Sequence, residues 1–102
     1  MSSEQSKARF HAIVTGRVQG VCFRAHTRDY AREHRINGYV KNRSDGAVEV
    51  DAEGNRILLD QFIQWLHEGP PSARVEAVSV EWLSESENFS GFSVRFNGGG
   101  WW

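Results

Sequence analysis

The stretch Thr15-Gly16-Arg17-Val18-Gln19-Gly20-Val21-Cys22-Phe23-Arg24 carries the residues best suited to chemistry. Two glycines, four positions apart, end an alternating segment and lead into a helix-forming one. Glycine admits positive φ, so successive backbone N–H groups can turn to one side and form an anion-binding nest. The start of the following helix adds unsatisfied N–H groups and the positive end of its dipole. Arg24 falls in the first helical turn, where its planar fork can grip a phosphate through two bonds. These features together suit a phosphoryl group held by the backbone of Gly16, Arg17, Val18, Gln19, Gly20 and Val21 and by the side chain of Arg24. The segment is not a nucleotide P-loop, which needs a Lys-Ser/Thr pair, nor the dinucleotide fingerprint G-x-G-x-x-G. An ordinary strand-to-helix turn followed by an exposed arginine fits the same residue types.

Other chemistries draw on the same residues. Cys22 and Arg28 fit C-x5-R, the nucleophile loop of cysteine-dependent phosphatases. That chemistry needs the five intervening residues in a loop with amides turned to phosphate; here they read as helix and include no glycine. A thiolate at a helix start can have a lowered pKa, so this alternative stays open. The histidines His11, His26, His34 and His67 form no i, i+4 pair and no ligand cluster in sequence, so a metal is not expected.

The elements that must position these groups follow from periodicity. Phe10–Thr15 alternates as a strand, with Phe10, Ala12 and Val14 on one side. Phe23–Arg35 reads as a helix with Phe23, Thr27, Tyr30, Ala31 and His34 on one face, stopped by Asn37-Gly38. Tyr39–Arg43 and Ala47–Ala52 are strands around the hairpin signal Ser44-Asp45-Gly46, with Val48, Val50 and Ala52 buried. Asn55 is the expected N-cap of a helix to about His67, with Leu58, Leu59, Phe62, Trp65 and Leu66 on its apolar face and Gly69-Pro70-Pro71 at its end. Val75–Trp82 and Gly91–Phe96 alternate again, the first through Val78, Val80 and Trp82, the second through Phe92, Val94 and Phe96. Strands with one apolar face and two amphipathic helices predict an α+β, ferredoxin-like two-layer sandwich: β-α-β-β-α-β plus a last strand, with both helices on one face of a mainly antiparallel sheet.

Composition bounds what this fold can be used for. A chain of 102 residues, 39% hydrophobic and 25% charged, suits one globular domain. That domain is expected over residues 9–96, between a flexible N-terminal extension, 1–8, and a glycine-tryptophan tail, 97–102. Cys22 is the only cysteine, so no internal disulfide can form. No apolar run approaches 18 residues and Met1–Lys7 is polar, so a cytoplasmic protein without a membrane span is expected. Residues 16–43 hold seven basic and two acidic residues, whereas residues 45–102 hold three basic and ten acidic. A short basic segment on a nearly neutral chain favours a small anionic ligand over nucleic acid. Arg28, Arg32 and Arg35 also fit a solvated helix face. A non-enzymatic RNA-binding module is the remaining alternative, since Gly91-Phe92-Ser93-Val94-Arg95-Phe96 is faintly like an RNA-recognition strand. The acidic second half opposes it.

Gly16-Arg17-Val18-Gln19-Gly20-Val21-Cys22-Phe23-Arg24 resembles the signature of the acylphosphatase family. Gly38-Tyr39-Val40-Lys41-Asn42-Arg43-Ser44-Asp45-Gly46 resembles that family's second motif, and Phe89-Ser90-Gly91-Phe92-Ser93-Val94 is similar to its last strand. The resemblance spans about Arg9 to Phe96. It implies hydrolysis of acyl phosphates to a carboxylate and inorganic phosphate, by a monomer without cofactor, metal or covalent phosphoenzyme. Carried over by position, it implies that the backbone of Gly16–Val21 and the Arg24 side chain bind the phosphoryl oxygens while Asn42 orients the attacking water. Inorganic phosphate is then both product and inhibitor. On residue type alone Asn42 also fits a hairpin residue bonded to nearby backbone.

Overall fold

The computed structural model describes residues 6–96. The alternation at Phe10 belongs to β1 (Lys7–Arg17), whose Phe10, Ala12 and Val14 are buried. This strand starts earlier than its apolar pattern. Lys7 and Ala8, expected in the N-terminal extension, stand opposite Asn55 and Gly54 of β3 (Val48–Asn55). The cause is the partner's length: β3 offers backbone groups that far, and pairing them is favourable whatever the side chains. The rest of the expected extension, residues 1–5, and the tail, 97–102, lie outside the described residues.

Helix α1 (Phe23–Glu33) buries Phe23, Thr27 and Ala31. It stops before Asn37-Gly38, which was expected to end it. Arg35 adopts φ 58°, its N–H reaches Arg32 O at 3.3 Å, and the Ile36 N–H reaches Ala31 O at 2.9 Å. This is a Schellman end with arginine in the position glycine usually fills. Burial of Ile36 supplies the apolar contact that accompanies such an end. Asn37 and Gly38 therefore open β2 (Asn37–Asn42) instead. Helix α2 (Arg56–Glu68) is capped as expected: Asn55 Oδ1 accepts from the N–H groups of Ile57 at 2.9 Å and Leu58 at 3.2 Å. It buries Leu59, Phe62 and Leu66.

With β4 (Arg74–Leu83) and β5 (Phe92–Arg95), the sheet order is β4-β1-β3-β2-β5. β1 pairs antiparallel with β3 and β4, β2 antiparallel with β3, and only β2 and β5 run parallel. Both helices cover one face, giving the two-layer α+β sandwich. On the other face Asp51, 2% exposed, accepts from Arg9 Nε at 2.8 Å and Nη2 at 3.0 Å. The hydrogen bond to Asp51 raises the Arg9 pKa against the effect of burial. The alternation of the last strand fails at its end: Phe92 is buried and Val94 half-buried, but Phe96 lies past β5 and is 50% exposed.

One irregularity prepares the site. The β1–β4 register shifts between Thr15 and Gly16. Gly16 has φ 123°, and a Cβ there would lie 2.2 Å from Arg74 O and 2.7 Å from Glu76 N. Both neighbours are backbone and cannot swing away. Gly16→Ala is expected to destabilise the fold: the backbone conformation alone costs about 1–3 kcal/mol. At roughly 4–8 °C per kcal/mol for a domain of this size, the melting temperature should fall by at least about 5 °C. An unchanged thermal transition would contradict this account of the bulge.

Candidate active site

β1 delivers the chain to the site and α1 takes it away. Gly16 and Arg17 still belong to the strand, paired with Val75 and Arg74 of β4. The free stretch therefore begins at Val18, later than the glycine spacing suggests. From Val18 to Ala25 no backbone N–H has an acceptor among the described residues; the next, that of His26, donates to Cys22 O at 3.0 Å. Gly20 has φ 75° and Cys22 φ 61°, with no positive φ at Val21 between them. Alternation of hand along successive residues turns their N–H groups toward one concavity. Cys22 also serves as the N-cap position of α1 without a side-chain cap hydrogen bond, and no acidic residue occupies the first turn. The positive end of the helix is left unneutralised by the chain itself.

The loop is tied to the hairpin that carries Asn42. Gln19 Nε2 donates to the carbonyl oxygens of Arg43 and Ala47, both at 2.8 Å. The hairpin is set in turn by the Arg43 N–H donating to Ala47 O at 2.8 Å and the Ala47 N–H donating to Asp45 Oδ1 at 3.0 Å. Hydrogen bonds from the Arg43 side chain and the Ala47 backbone hold the Asp45 carboxyl below its ordinary pKa. Asn42 is the last residue of β2, and its Oδ1 is buried with no hydrogen-bond partner among the described residues. Such an acceptor costs about 1–3 kcal/mol if it stays unsatisfied.

Val18, Gly20, Cys22, Phe23, Arg24, Ala25 and Asn42 line one open cleft of about 380 Å³. Arg24 and Asn42, 18 positions apart in sequence, are thus brought to the same space. Gly16, Arg17, Gln19 and Val21 do not line it: the first two shape the bend, Gln19 braces it, and Val21 packs on the core. Arg24 has no ion pair or hydrogen bond among the described residues; its guanidinium carbon lies 5.2 Å from the centre of the Phe96 ring. Among the described residues no Asp, Glu or His lines the cleft.

The competing readings fare differently. Phe23–Thr27, the residues between Cys22 and Arg28, lie in α1, and Arg28 pairs with Asp29 at 3.0 Å. A loop with its amides turned to the Cys22 sulfur is therefore not formed. Arg32 is less a solvated residue than a tie to β5, since its Nε donates to Phe92 O at 3.0 Å. Among the described residues no three His, Cys, Asp or Glu side chains gather where a metal could bind. Phe92 lies in the core and Val94 packs against it, so the Phe92 ring is not presented on the open face of the sheet. Three features of the site were invisible in the sequence pattern. Gln19 acts through its side chain, Cys22 takes a conformation uncommon for its type, and Phe96 stands beside Arg24 although its spacing marked it as core.

Comparison with known proteins points in one direction. Residues 10–94 match the family model described as acylphosphatase. An acylphosphatase of Pelotomaculum thermopropionicum is 45% identical over 91 residues, covering 89% of this chain and 99% of that protein. One from Salinibacter ruber is 48% identical over 90 residues, covering 88% and 95%. Among solved structures, an acylphosphatase from Coxiella burnetii superposes with a TM-score of 0.83 at 43% identity, covering 87% of this chain and 93% of that one.

Proposed function

The chain belongs to the acylphosphatase family and is an enzyme of that class, and from this premise we propose how its cleft performs the hydrolysis. The phosphoryl group of an acyl phosphate sits in the bend, its oxygens bonded by the amides from Val18 to Val21 and by the Arg24 fork. Gly16 and Arg17 contribute by shaping the bend. Water attacks phosphorus, the bond from phosphorus to the acyl oxygen breaks, and its electron pair leaves with the carboxylate. Phosphoryl transfer needs positioning and charge stabilisation more than covalent help. Charge-assisted hydrogen bonds contribute roughly 1.5–3 kcal/mol each. Several amides with Arg24 could therefore lower the barrier by on the order of 10 kcal/mol, provided they tighten in the transition state.

The leaving group explains what the cleft lacks. A carboxylic acid has a pKa of about 4–5, so it departs without a general acid. A cleft with no Asp, Glu or His lining it among the described residues suits that reaction and would serve an alkyl ester poorly. Asn42 is no base; its amide can only accept and donate hydrogen bonds. Asn42 lines the same cleft as Arg24, and its buried Oδ1 has no partner among the described residues; this supports the reading that its side-chain amide orients the attacking water. The proton then passes to a phosphoryl oxygen.

The enzyme is proposed to act as a cytoplasmic monomer without cofactor, metal, nucleic-acid or membrane partner, with inorganic phosphate as product and inhibitor. No helix among the described residues is long and apolar enough to cross a membrane. A bend that grips only the phosphoryl half leaves the acyl half weakly specified, so a broad range of acyl phosphates is expected. Phosphate release from a simple acyl phosphate, beside an alkyl phosphate ester and with a strong chelator present, tests the reading. Rapid release from the first only, undiminished by chelator and by Cys22→Ser, is expected. Loss of turnover in a folded Cys22→Ser would favour a thiol nucleophile, and loss on chelation a metal.

A further inference from the structure

We propose that Phe96 is a positioning residue, whose ring holds the Arg24 guanidinium in place for the incoming phosphoryl group. The inference rests on the reading of Arg24 above and extends it to a residue outside both sequence motifs. Arg24 differs from most of the paired arginines around it. Arg9, Arg28, Arg43 and Arg56 each face a carboxylate, at 2.8, 3.0, 3.1 and 3.4 Å. A carboxylate beside Arg24 would have to be displaced before an anion could bind. Arg24 instead has the Phe96 ring, 5.2 Å from its guanidinium carbon to the ring centre. That separation is within the range in which a ring face attracts a cation.

A ring holds a guanidinium without using its N–H donors, so the fork stays available for the anion. An arginine without any partner would lose its rotamer freedom on binding; one already held loses less. Phe96 has little structural reason to be where it is. It lies past the last strand and is half exposed, unlike Phe92 four residues earlier. The chain reaches this place because β5 runs parallel to β2, so both strands head toward the end of the sheet where Asn42 stands.

The test measures inhibition by inorganic phosphate and kcat/KM for an acyl phosphate in Phe96→Leu, Phe96→Met and Phe96→Trp. The two aliphatic variants should weaken phosphate inhibition and kcat/KM about two- to five-fold, the range for an exposed cation–π contact. Phe96→Trp, with the best ring face, should match or exceed the wild type. A purely packing role would be filled by Leu or Met. Wild-type inhibition in both aliphatic variants, or equal weakening in all three, overturns the proposal. Arg24→Ala run in parallel separates the two levels: retained phosphate inhibition there would overturn the reading of Arg24 itself, whereas its loss beside an indifferent Phe96 series would overturn only the platform.

Discussion

Arg24→Ala is expected to lose phosphate inhibition and turnover together, with kcat/KM down by at least about 1,000-fold. An arginine acting on a transferring phosphoryl group contributes roughly 10³–10⁵ in rate, mostly by stabilising charge as it spreads over the equatorial oxygens. Among the described residues the guanidinium is the sole cationic side chain lining the cleft, so no neighbour there substitutes for it. The amides from Val18 onward remain, and they leave a small residual activity. Arg24→Lys restores the charge but not the planar two-bond grip, and should recover only part of the loss. The fold should be indifferent, because Arg24 makes no ion pair among the described residues and its ring contact is on a half-exposed phenylalanine. Initial rates with an acyl phosphate and the inhibition constant of inorganic phosphate, measured beside thermal unfolding, provide the check. A variant within ten-fold of wild-type kcat/KM would remove Arg24 from the mechanism.

Asn42→Ala is expected to separate the two functions. Turnover should fall at least about 100-fold, the scale of losing orientation of a reacting group. Phosphate inhibition should stay within about two-fold of wild type, because the amides and Arg24 are untouched. Asn42 Oδ1 has no protein hydrogen-bond partner among the described residues, so Asn42→Ala breaks no hydrogen bond of that oxygen within the fold and should change the melting temperature little. Lower stability together with full activity would mean that Asn42 is a hairpin residue and nothing more.

Much of the architecture was legible because it rests on periodicity. Phe10, Ala12 and Val14 alternate, Leu59, Phe62 and Leu66 recur at helical spacing, and Asn55 caps where a cap was needed. The misses share one cause: a local pattern was overridden by a distant partner. Lys7 and Ala8 join the sheet because β3 extends past them. Arg35 ends α1 because Ile36 must enter the core, although nothing about an arginine announces a left-handed turn. The same holds at the site. Arg24 and Asn42 are identified by motif resemblance, but their meeting on one cleft depends on Gln19 binding two carbonyls of the hairpin. Phe96 continues an alternation whose strand has already ended at Arg95.

The proposed function requires that unpaired amides in the bend and the guanidinium of the adjoining helix hold a tetrahedral anion. A crystal structure with inorganic phosphate bound measures this directly. The anion is expected in the cleft lined by Val18, Gly20, Arg24 and Asn42, with loop N–H groups and the Arg24 fork at roughly 2.7–3.2 Å from its oxygens. Phosphate bound elsewhere, with the bend empty and Arg24 turned away from it, would contradict the account.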